Sequence, residues 1–463
     1  MDAVIISFVG LCLLLGVGHL LRMRVRLLRK LYLPSCVIGG LLGLVVIQAA
    51  RWLGRPVPEA WTAGWKALPG LLINVVFACL FLGVALPKLS TLWKRAGPQL
   101  AYGQVVAWGQ YVVGVGLVMV LLGPVFGVNN MFGGIVPVGF EGGHGTAAGM
   151  GPTFAKLGWK EGQDFGLASA TAGILSAVVV GMILINWAAR KGYTVRRQAV
   201  ESVPEDDTIA VIPVDRRPSA GRLTVSSDAI ESFTLHVVVV AVAVGIGLLL
   251  QKGLVQAANA AGAVLPEKAQ RAANTIAGSF PLFPLCMLGG LLIQLCEDRF
   301  DKHRLIDYGL TRRIQNTALD FLVVAAIATI RIEALARGLA PFLIIVAAAI
   351  AWNVLCLLAL ARRMLPDAWF ERSIAEMGQS MGVTATGLLL LRVVDPDYES
   401  PAVDAFASKQ LLHEPFMGGG LWTSTAIPLL ATAGQLPVFL IACGAVAFWI
   451  VLTFAARLNR MTA

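Results

Sequence analysis

A mostly apolar segment, residues 131–157, contains residues that an unbroken membrane helix does not tolerate. A proline lies on each side of its centre, which holds Glu141, His144 and six glycines. Relative to alanine, each glycine costs a helix about 1 kcal/mol and each proline about 3 kcal/mol. We therefore predict two half-helices that meet at a non-helical tip, residues 142–146. Inside a membrane such backbone persists only where protein or water satisfies its polar groups, so the tip is a candidate binding site. A Gly-rich surface loop between ordinary helices is the alternative.

The composition restricts the chain to one class of protein. Of its 463 residues, 57% are hydrophobic and only 14% are charged, whereas soluble domains carry about 25% charged residues. An all-α polytopic membrane protein is predicted, since each apolar span needs about 20 residues to cross the bilayer. The formal charge of +10 does not indicate nucleic-acid binding, because the basic residues lie in the connections between spans. The basic cluster at residues 22–30 marks a cytoplasmic loop, which places the N-terminus outside.

The spans fall into two halves. Residues 1–191 are predicted to form an N-terminal membrane repeat, and residues 233–463 a C-terminal repeat with a second broken segment, residues 374–391. A continuous span is predicted over residues 411–430, and one more helix follows it. Residues 192–232 are rich in charge and proline, so they are predicted to form a flexible cytoplasmic linker, with a small folded regulatory unit as the alternative.

An internal repeat indicates how the halves are related. Residues 34–42 and 284–292 share the pattern P-x-C-x-x-G-G-L-L, and each copy lies in the second span of its half. Two more spans follow in each half, and then a broken segment rich in glycine and threonine. The first half crosses the membrane an odd number of times, so the second half is predicted to be inverted. Inverted repeats with broken segments at matching positions are typical of secondary transporters.

The tips carry the chemistry expected of such a site. Free N–H groups at a half-helix N-terminus suit a carboxylate, whereas free carbonyls and hydroxyls suit a hard cation such as Na⁺. The predicted substrate-binding residues at the tips are Gly142, Gly143, His144, Gly145, Thr146, Gly382, Thr384 and Thr386. The predicted cation-binding residues are Glu141, Thr146, Ser380 and Thr384. Hydroxyls that bond back to their own helix are the alternative. Arg331 is a further candidate for anion binding, with snorkelling to the interface as the alternative.

Two of these motifs resemble segments of the bacterial glutamate:sodium symporter family. Residues 142–146, Gly-Gly-His-Gly-Thr, resemble its S-G-G-H-G-T segment, and residues 381–386 are similar to its G-x-G-A-T-P-T segment. Arg331 stands where that family has a lysine. The resemblance implies inverted halves each with a re-entrant loop, Na⁺ coupling, a dicarboxylic amino-acid substrate, a homodimer and a location in the bacterial inner membrane. Glu141 departs from the family pattern, which has a serine at this position. It adds negative charge beside a site for an anion.

These observations favour a Na⁺-coupled symporter for glutamate or a related organic anion, with no cofactor. Proton coupling through Glu141 or His144 is the alternative. An intramembrane enzyme that uses His144 is a third hypothesis, against which stands the lack of a nucleophile-plus-base or metal constellation. Residues 413–414 begin a His-Glu pattern, but Met417 occupies the place of the second zinc-binding histidine, so a metalloprotease motif is absent.

Overall fold

The computed structural model describes residues 2–31, 33–85, 87–194, 212, 214, 217–262, 266–396 and 399–460, and all regular elements of these residues are helical. In the first half they are α1 (Asp2–Arg24), α2 (Arg26–Lys30), α3 (Ser35–Trp52), α4 (Glu59–Ala78), α5 (Leu89–Leu117), α6 (Gly123–Phe126), α7 (Ile135–Gly139), α8 (Gly143–Gly149), α9 (Gly151–Lys156) and α10 (Gly162–Lys191). In the second half they are α11 (Ser232–Gly262), α12 (Glu267–Ser279), α13 (Phe283–Phe300), α14 (Tyr308–Ala328), α15 (Ile332–Arg337), α16 (Leu339–Leu355), α17 (Ala361–Met364), α18 (Trp369–Val394), α19 (Ala402–His413), α20 (Leu421–Thr432) and α21 (Gln435–Ala455).

Eight helical stretches of the described residues are long and apolar enough to cross a membrane. They are Ala3–Arg24, Ser35–Trp52, Ser90–Phe126, Gly162–Lys191, Ser232–Ala261, Leu339–Met364, Trp369–Val394 and Gln435–Ala455. A ninth span is formed if α12 and α13 are counted together, although they are bent by 67° relative to each other. The all-α membrane class predicted from composition is thus confirmed for the part of the chain that the structure describes.

The helices pack in two groups. The first bundle consists of α1, α3, α4, α11, α13 and α14, which pack mainly on one another. The second bundle consists of α5, α7 to α10, α16 and α18 to α21, with α5 packed against α21 and α19, and α10 against α18. Helix α8 lies between the bundles, because it contacts α4 and α14 on one side and α7 and α10 on the other.

The glycine pairs of the repeated motif make equivalent contacts in the two halves. In each pair the first glycine faces the first span of its own half, and the second faces a helix of the other half. At the first glycines, Gly39 and Gly289, an added Cβ would lie 2.4 Å from Leu14 O and 2.2 Å from Ala243 O, respectively. At the second glycines, Gly40 and Gly290, it would lie 2.7 Å from Ile327 Cβ and 2.1 Å from Ala78 O, respectively. Since only glycine permits this approach, the pairs hold α3 and α13 against their neighbours in the first bundle.

The first broken segment is interrupted slightly earlier than the sequence predicts. Helix α7 ends at Gly139 and α8 begins at Gly143, so the turn consists of residues 140–142. Gly143 has φ +65°, a left-handed conformation that glycine adopts without strain. The chain changes direction by Gly143, so Thr146 already belongs to helix α8.

The second broken segment is interrupted inside α18. Gly382 has φ −148° and ψ 30°, and Val383 has φ 64° and ψ 170°, so neither residue is helical. A positive φ is strained for a β-branched residue, so the fold holds Val383 against its own preference. The strained position lies between Gly382 and Thr384, two of the residues that the sequence analysis assigns to the second tip.

The continuous span predicted over residues 411–430 is wrong. Helix α19 ends at His413 and α20 begins at Leu421. Between them Gly418 and Gly419 have φ values of 63° and 107°, which an α-helix excludes. The apolar run hides this third break, because hydropathy does not register backbone conformation.

The predicted linker over residues 192–232 lies largely outside the described residues, which omit 195–211, 213, 215 and 216. Its last part lies against the first bundle. Gly221 is close to Leu310 in α14, and the Ser232 hydroxyl accepts hydrogen bonds from the N–H groups of Thr224 and Val225 at 3.1 and 3.3 Å.

Candidate functional site

The three helix breaks meet inside the second bundle. A Cβ added at Gly143 would lie 2.4 Å from Cγ1 of Val383, so the first and second breaks are in contact. The Thr146 hydroxyl donates to the carbonyl of Gly418 in the third break at 3.1 Å. A Cβ added at Gly418 would lie 3.4 Å from the carbonyl oxygen of Glu141. Three segments distant in sequence therefore enclose one central region.

Glu141 is a buried carboxylate in this region, with only 4% of its surface exposed. Its Oε2 accepts a hydrogen bond from Gln379 Nε2 at 2.7 Å and contacts His413 Nε2 at 3.3 Å. Its Oε1 has no hydrogen-bond partner among the described residues. Because an unsatisfied buried anion is costly, this oxygen is suited to a cation.

The contact with Gln379 is part of a longer chain of buried polar groups. Gln379 Oε1 accepts from Lys409 Nζ at 3.1 Å, and the same ammonium forms an ion pair with Glu376 Oε1 at 2.7 Å. Gln99 donates to the other oxygen of Glu376 at 2.9 Å. Since Lys409 can only donate, the amide oxygen of Gln379 faces it and the amide N–H faces Glu141. Lys409 thereby determines the orientation of the group that holds Glu141.

The region holds more carboxylates than lysines. Glu141 and Glu376 contribute two carboxyl groups, and Lys409 contributes one ammonium group. These side chains and that of His413, which contacts Glu141, are at most 2% exposed. A bound monovalent cation would bring positive charge to Glu141, and oxygen ligands are those that such hard cations prefer.

The first-tip residues His144 and Gly145 face away from the breaks. His144 Nε2 forms a hydrogen bond of 2.9 Å with the Thr171 hydroxyl in α10. A Cβ added at Gly145 would lie 3.3 Å from Ile73 and 3.4 Å from Leu319, both in the first bundle. His144 therefore fastens α8 to α10, whereas Gly145 allows α8 to approach α4 and α14.

The hydroxyls of the second broken segment have different partners. Ser380 Oγ lies 3.5 Å from the amide oxygen of Gln379. Thr384 donates to the Glu414 carboxylate at 2.9 Å, whereas Thr386 bonds back to the carbonyl of Gly382 at 2.5 Å. Thr384 and Ser380 thus belong to the polar network around the breaks, and Thr386 closes the first turn after the break.

Arg331 is not among the residues that the structure brings together at the breaks. It directly precedes α15 as the N-cap residue. Its guanidinium pairs with Asp164 at 2.7 Å, while 47% of its side chain is exposed. It lines a polar cleft of about 820 Å³ that also includes Arg51, Lys66 and Lys160. The cleft lies between the two bundles, since its lining comes from α3 and α4 as well as from α9 and α10.

The sequence analysis did not identify Glu376, Lys409 and His413 as site residues. A signal was present, because Lys409 and His413 lie one helical turn apart and therefore share a face of α19. Glu376 and Gln379 are likewise three residues apart on α18. Their significance is visible only when α18, α19 and α5 are placed side by side, since Gln99 and Glu376 are 277 positions apart.

The chain was compared with known proteins. A family model described as sodium/glutamate symporter matches residues 2–399. The match therefore includes the first two breaks, whereas Lys409, His413 and the third break follow it. Neither a curated protein nor a solved structure matches the chain.

Proposed function

The chain belongs to the sodium/glutamate symporter family, and from this premise we propose that it carries glutamate or a related organic anion across the bacterial inner membrane together with Na⁺. The family makes it a sodium-coupled, multi-pass transporter and not an enzyme. The observation that carries the proposal is Oε1 of the buried Glu141 carboxylate, which has no hydrogen-bond partner among the described residues.

The two halves form inverted repeats in this proposal. The equivalent contacts of the two glycine pairs support it, since α3 and α13 occupy matching places in their halves. Residues 131–157 would enter from outside and residues 374–391 from the cytoplasm, with the N-terminus outside. The broken segments would then reach each other near the midplane, where Gly143 contacts Val383.

The substrate carboxylate is proposed to bind where the first two breaks meet. The N–H groups that begin α8, at residues 143–145, and those that follow the break in α18, at residues 384–386, lack partners in a preceding helical turn. Charge-assisted hydrogen bonds of this kind contribute roughly 1.5–3 kcal/mol each. Gly142 and Gly382 would contribute to this site through their backbone alone, because a Cβ added at either would lie 2.6 Å from Thr146 Cβ or 2.8 Å from Thr386 Oγ1.

The coupling Na⁺ is proposed to bind at Glu141 Oε1, with hydroxyl oxygens of Ser380, Thr146 and Thr384 as further candidate ligands. Glu141, which stands where the family has a serine, would then bind the cation and not the substrate anion. Without the cation, the negative charge of Glu141 would repel the substrate anion. A bound Na⁺ would neutralise this charge, which gives a physical reason for coupling.

Arg331 is proposed to act at the entrance rather than at the breaks. The cleft that it lines is partly open and holds four basic and three acidic side chains. A net positive charge in such a cleft raises the local concentration of an anion. We also propose a homodimer, as the family resemblance implies, which the mass of the detergent-solubilised protein would test.

Uptake of labelled glutamate into proteoliposomes tests the proposal. The wild-type protein should accumulate glutamate when Na⁺ is higher outside at equal pH on both sides. Glu141→Gln keeps the shape but removes the charge, so it should lose this Na⁺ dependence. Full uptake in Na⁺-free buffer with only a proton gradient would overturn Na⁺ coupling and favour proton coupling.

A further inference from the structure

An apolar groove of about 960 Å³ runs along the second bundle between α5, α19, α20 and α21. Its walls include four indole rings, those of Trp93, Trp108, Trp422 and Trp449. Phe416, which also lines it, is 54% exposed. We call it the tryptophan groove. Its volume falls within the range of roughly 300–1,000 Å³ that is typical of small-molecule sites.

The groove follows the membrane-crossing direction. Its lining extends along α5 from Ser90 to Trp108, which corresponds to about 27 Å at 1.5 Å per residue. The hydrocarbon core of a bilayer is about 30 Å thick. Both α5 and α21 belong to stretches that are long and apolar enough to span it. The groove therefore runs in the direction that a lipid acyl chain takes in a bilayer.

One end of the groove is strongly basic. Helix α5 begins where α21 ends, since Gly97 lies against Leu458. The exposed basic residues at this end, which we call the basic end, are Lys88, Lys94, Arg95, Arg457 and Arg460. None of the five forms a salt bridge within the described part of the chain. Their charge is thus available to an anion at the membrane surface.

We propose that the tryptophan groove binds an acyl chain of an anionic phospholipid whose phosphate lies on the basic end. The apolar walls supply a place for the chain, and the unpaired cations supply charge complementarity for the headgroup. Clusters of lysine and arginine at the end of a membrane helix attract anionic lipids in this way. The groove lies on the outer side of the third break, whose Phe416 lines it, and the inference does not depend on which substrate is transported.

The floor of the groove reaches the polar network around Glu141. Trp108 Nε1 donates to Gln104 Oε1 at 2.9 Å, and Gln104 Nε2 lies 3.2 Å from His413 Nδ1. His413 in turn contacts Glu141. An acyl chain in the groove would cover the outer side of these hydrogen bonds and exclude water from them, so occupancy should affect transport as well as binding.

Quenching of tryptophan fluorescence by brominated lipids tests the proposal. The full-length protein is placed in phosphatidylcholine vesicles that contain phosphatidylglycerol or phosphatidylcholine with brominated acyl chains. Brominated phosphatidylglycerol should reach half-maximal quenching at a mole fraction about tenfold lower, because the basic end attracts its headgroup. The triple variant K94Q/R95Q/R457Q should lose this preference.

A matched variant separates the basic end from general surface charge. R299Q/K302Q/R304Q removes three exposed cations from the last turn of α13 and the connection that follows it, so it should keep the preference. T425F fills the groove and should reduce quenching by both lipids. Equal quenching of the wild type by the two lipids, or an unchanged preference in the first triple variant, would overturn the proposal. Quenching that T425F leaves unchanged would also overturn it, because the signal would then come from the seven tryptophans outside the groove.

Discussion

Replacement of Lys409 by methionine should strongly destabilise the protein, because it leaves a buried carboxylate without its cation. Lys409 and Glu376 are both 0% exposed, and their charged atoms lie 2.7 Å apart. Methionine keeps the apolar stem but removes the ammonium group, so Glu376 retains only its hydrogen bond from Gln99. Removal of one partner from a buried ion pair costs about 3–5 kcal/mol.

The double variant K409M/E376Q removes both charges, so no unpaired ion stays buried. Replacement of both partners of a buried pair is often close to neutral. We therefore expect K409M and E376Q each to lose about 3–5 kcal/mol, and the double variant to lose far less than their sum. Denaturant-induced unfolding in detergent, followed by tryptophan fluorescence, measures all three free energies of unfolding.

An exposed ion pair provides the control. Lys66 and Glu59 are 3.3 Å apart, but their side chains are 60% and 84% exposed. Solvent screening limits such a pair to about 0–1 kcal/mol, so K66M should change stability little. Additive losses in K409M, E376Q and their combination would refute the argument, because they would show that the two charges do not compensate each other.

Three further predictions concern the breaks, the cleft and the topology. Gly143→Val should abolish glutamate uptake, because its Cβ would lie 2.4 Å from the opposite break at a φ that costs a β-branched residue about 1–3 kcal/mol; Gly145→Ala, whose nearest contacts are 3.3 and 3.4 Å, should retain uptake in the same assay. Arg331→Met should raise the glutamate concentration for half-maximal uptake at low ionic strength and have little effect at high salt, because its role as an attracting charge is screened; an equal effect at both ionic strengths would instead indicate direct contact with the substrate. A cysteine introduced at Ser219 should react with an impermeant thiol reagent only after the membrane is opened, and labelling in intact cells would contradict the proposed cytoplasmic location.

The sequence alone determined the class of the protein and the two segments, residues 131–157 and 374–391, in which helices are broken. Hydropathy and low charge reveal the membrane class because the bilayer acts on every span in the same way. Glycine-rich composition revealed the interruptions around Glu141 and Gly382 because backbone preference is a local property. The repeated glycine pairs also carried information, since close helix packing requires a small residue wherever it occurs.

The tertiary structure decided which polar groups meet. It removed Arg331 from the breaks, turned Gly145 toward the first bundle, and added the break after His413 that the apolar run concealed. It also paired His413 with Glu141 across 272 positions of sequence. No periodicity within one helix encodes such a pair, because it depends on the packing of α19 against the first tip. Charge balance in a buried site is a property of the assembled helices, and for that reason only the folded chain shows it.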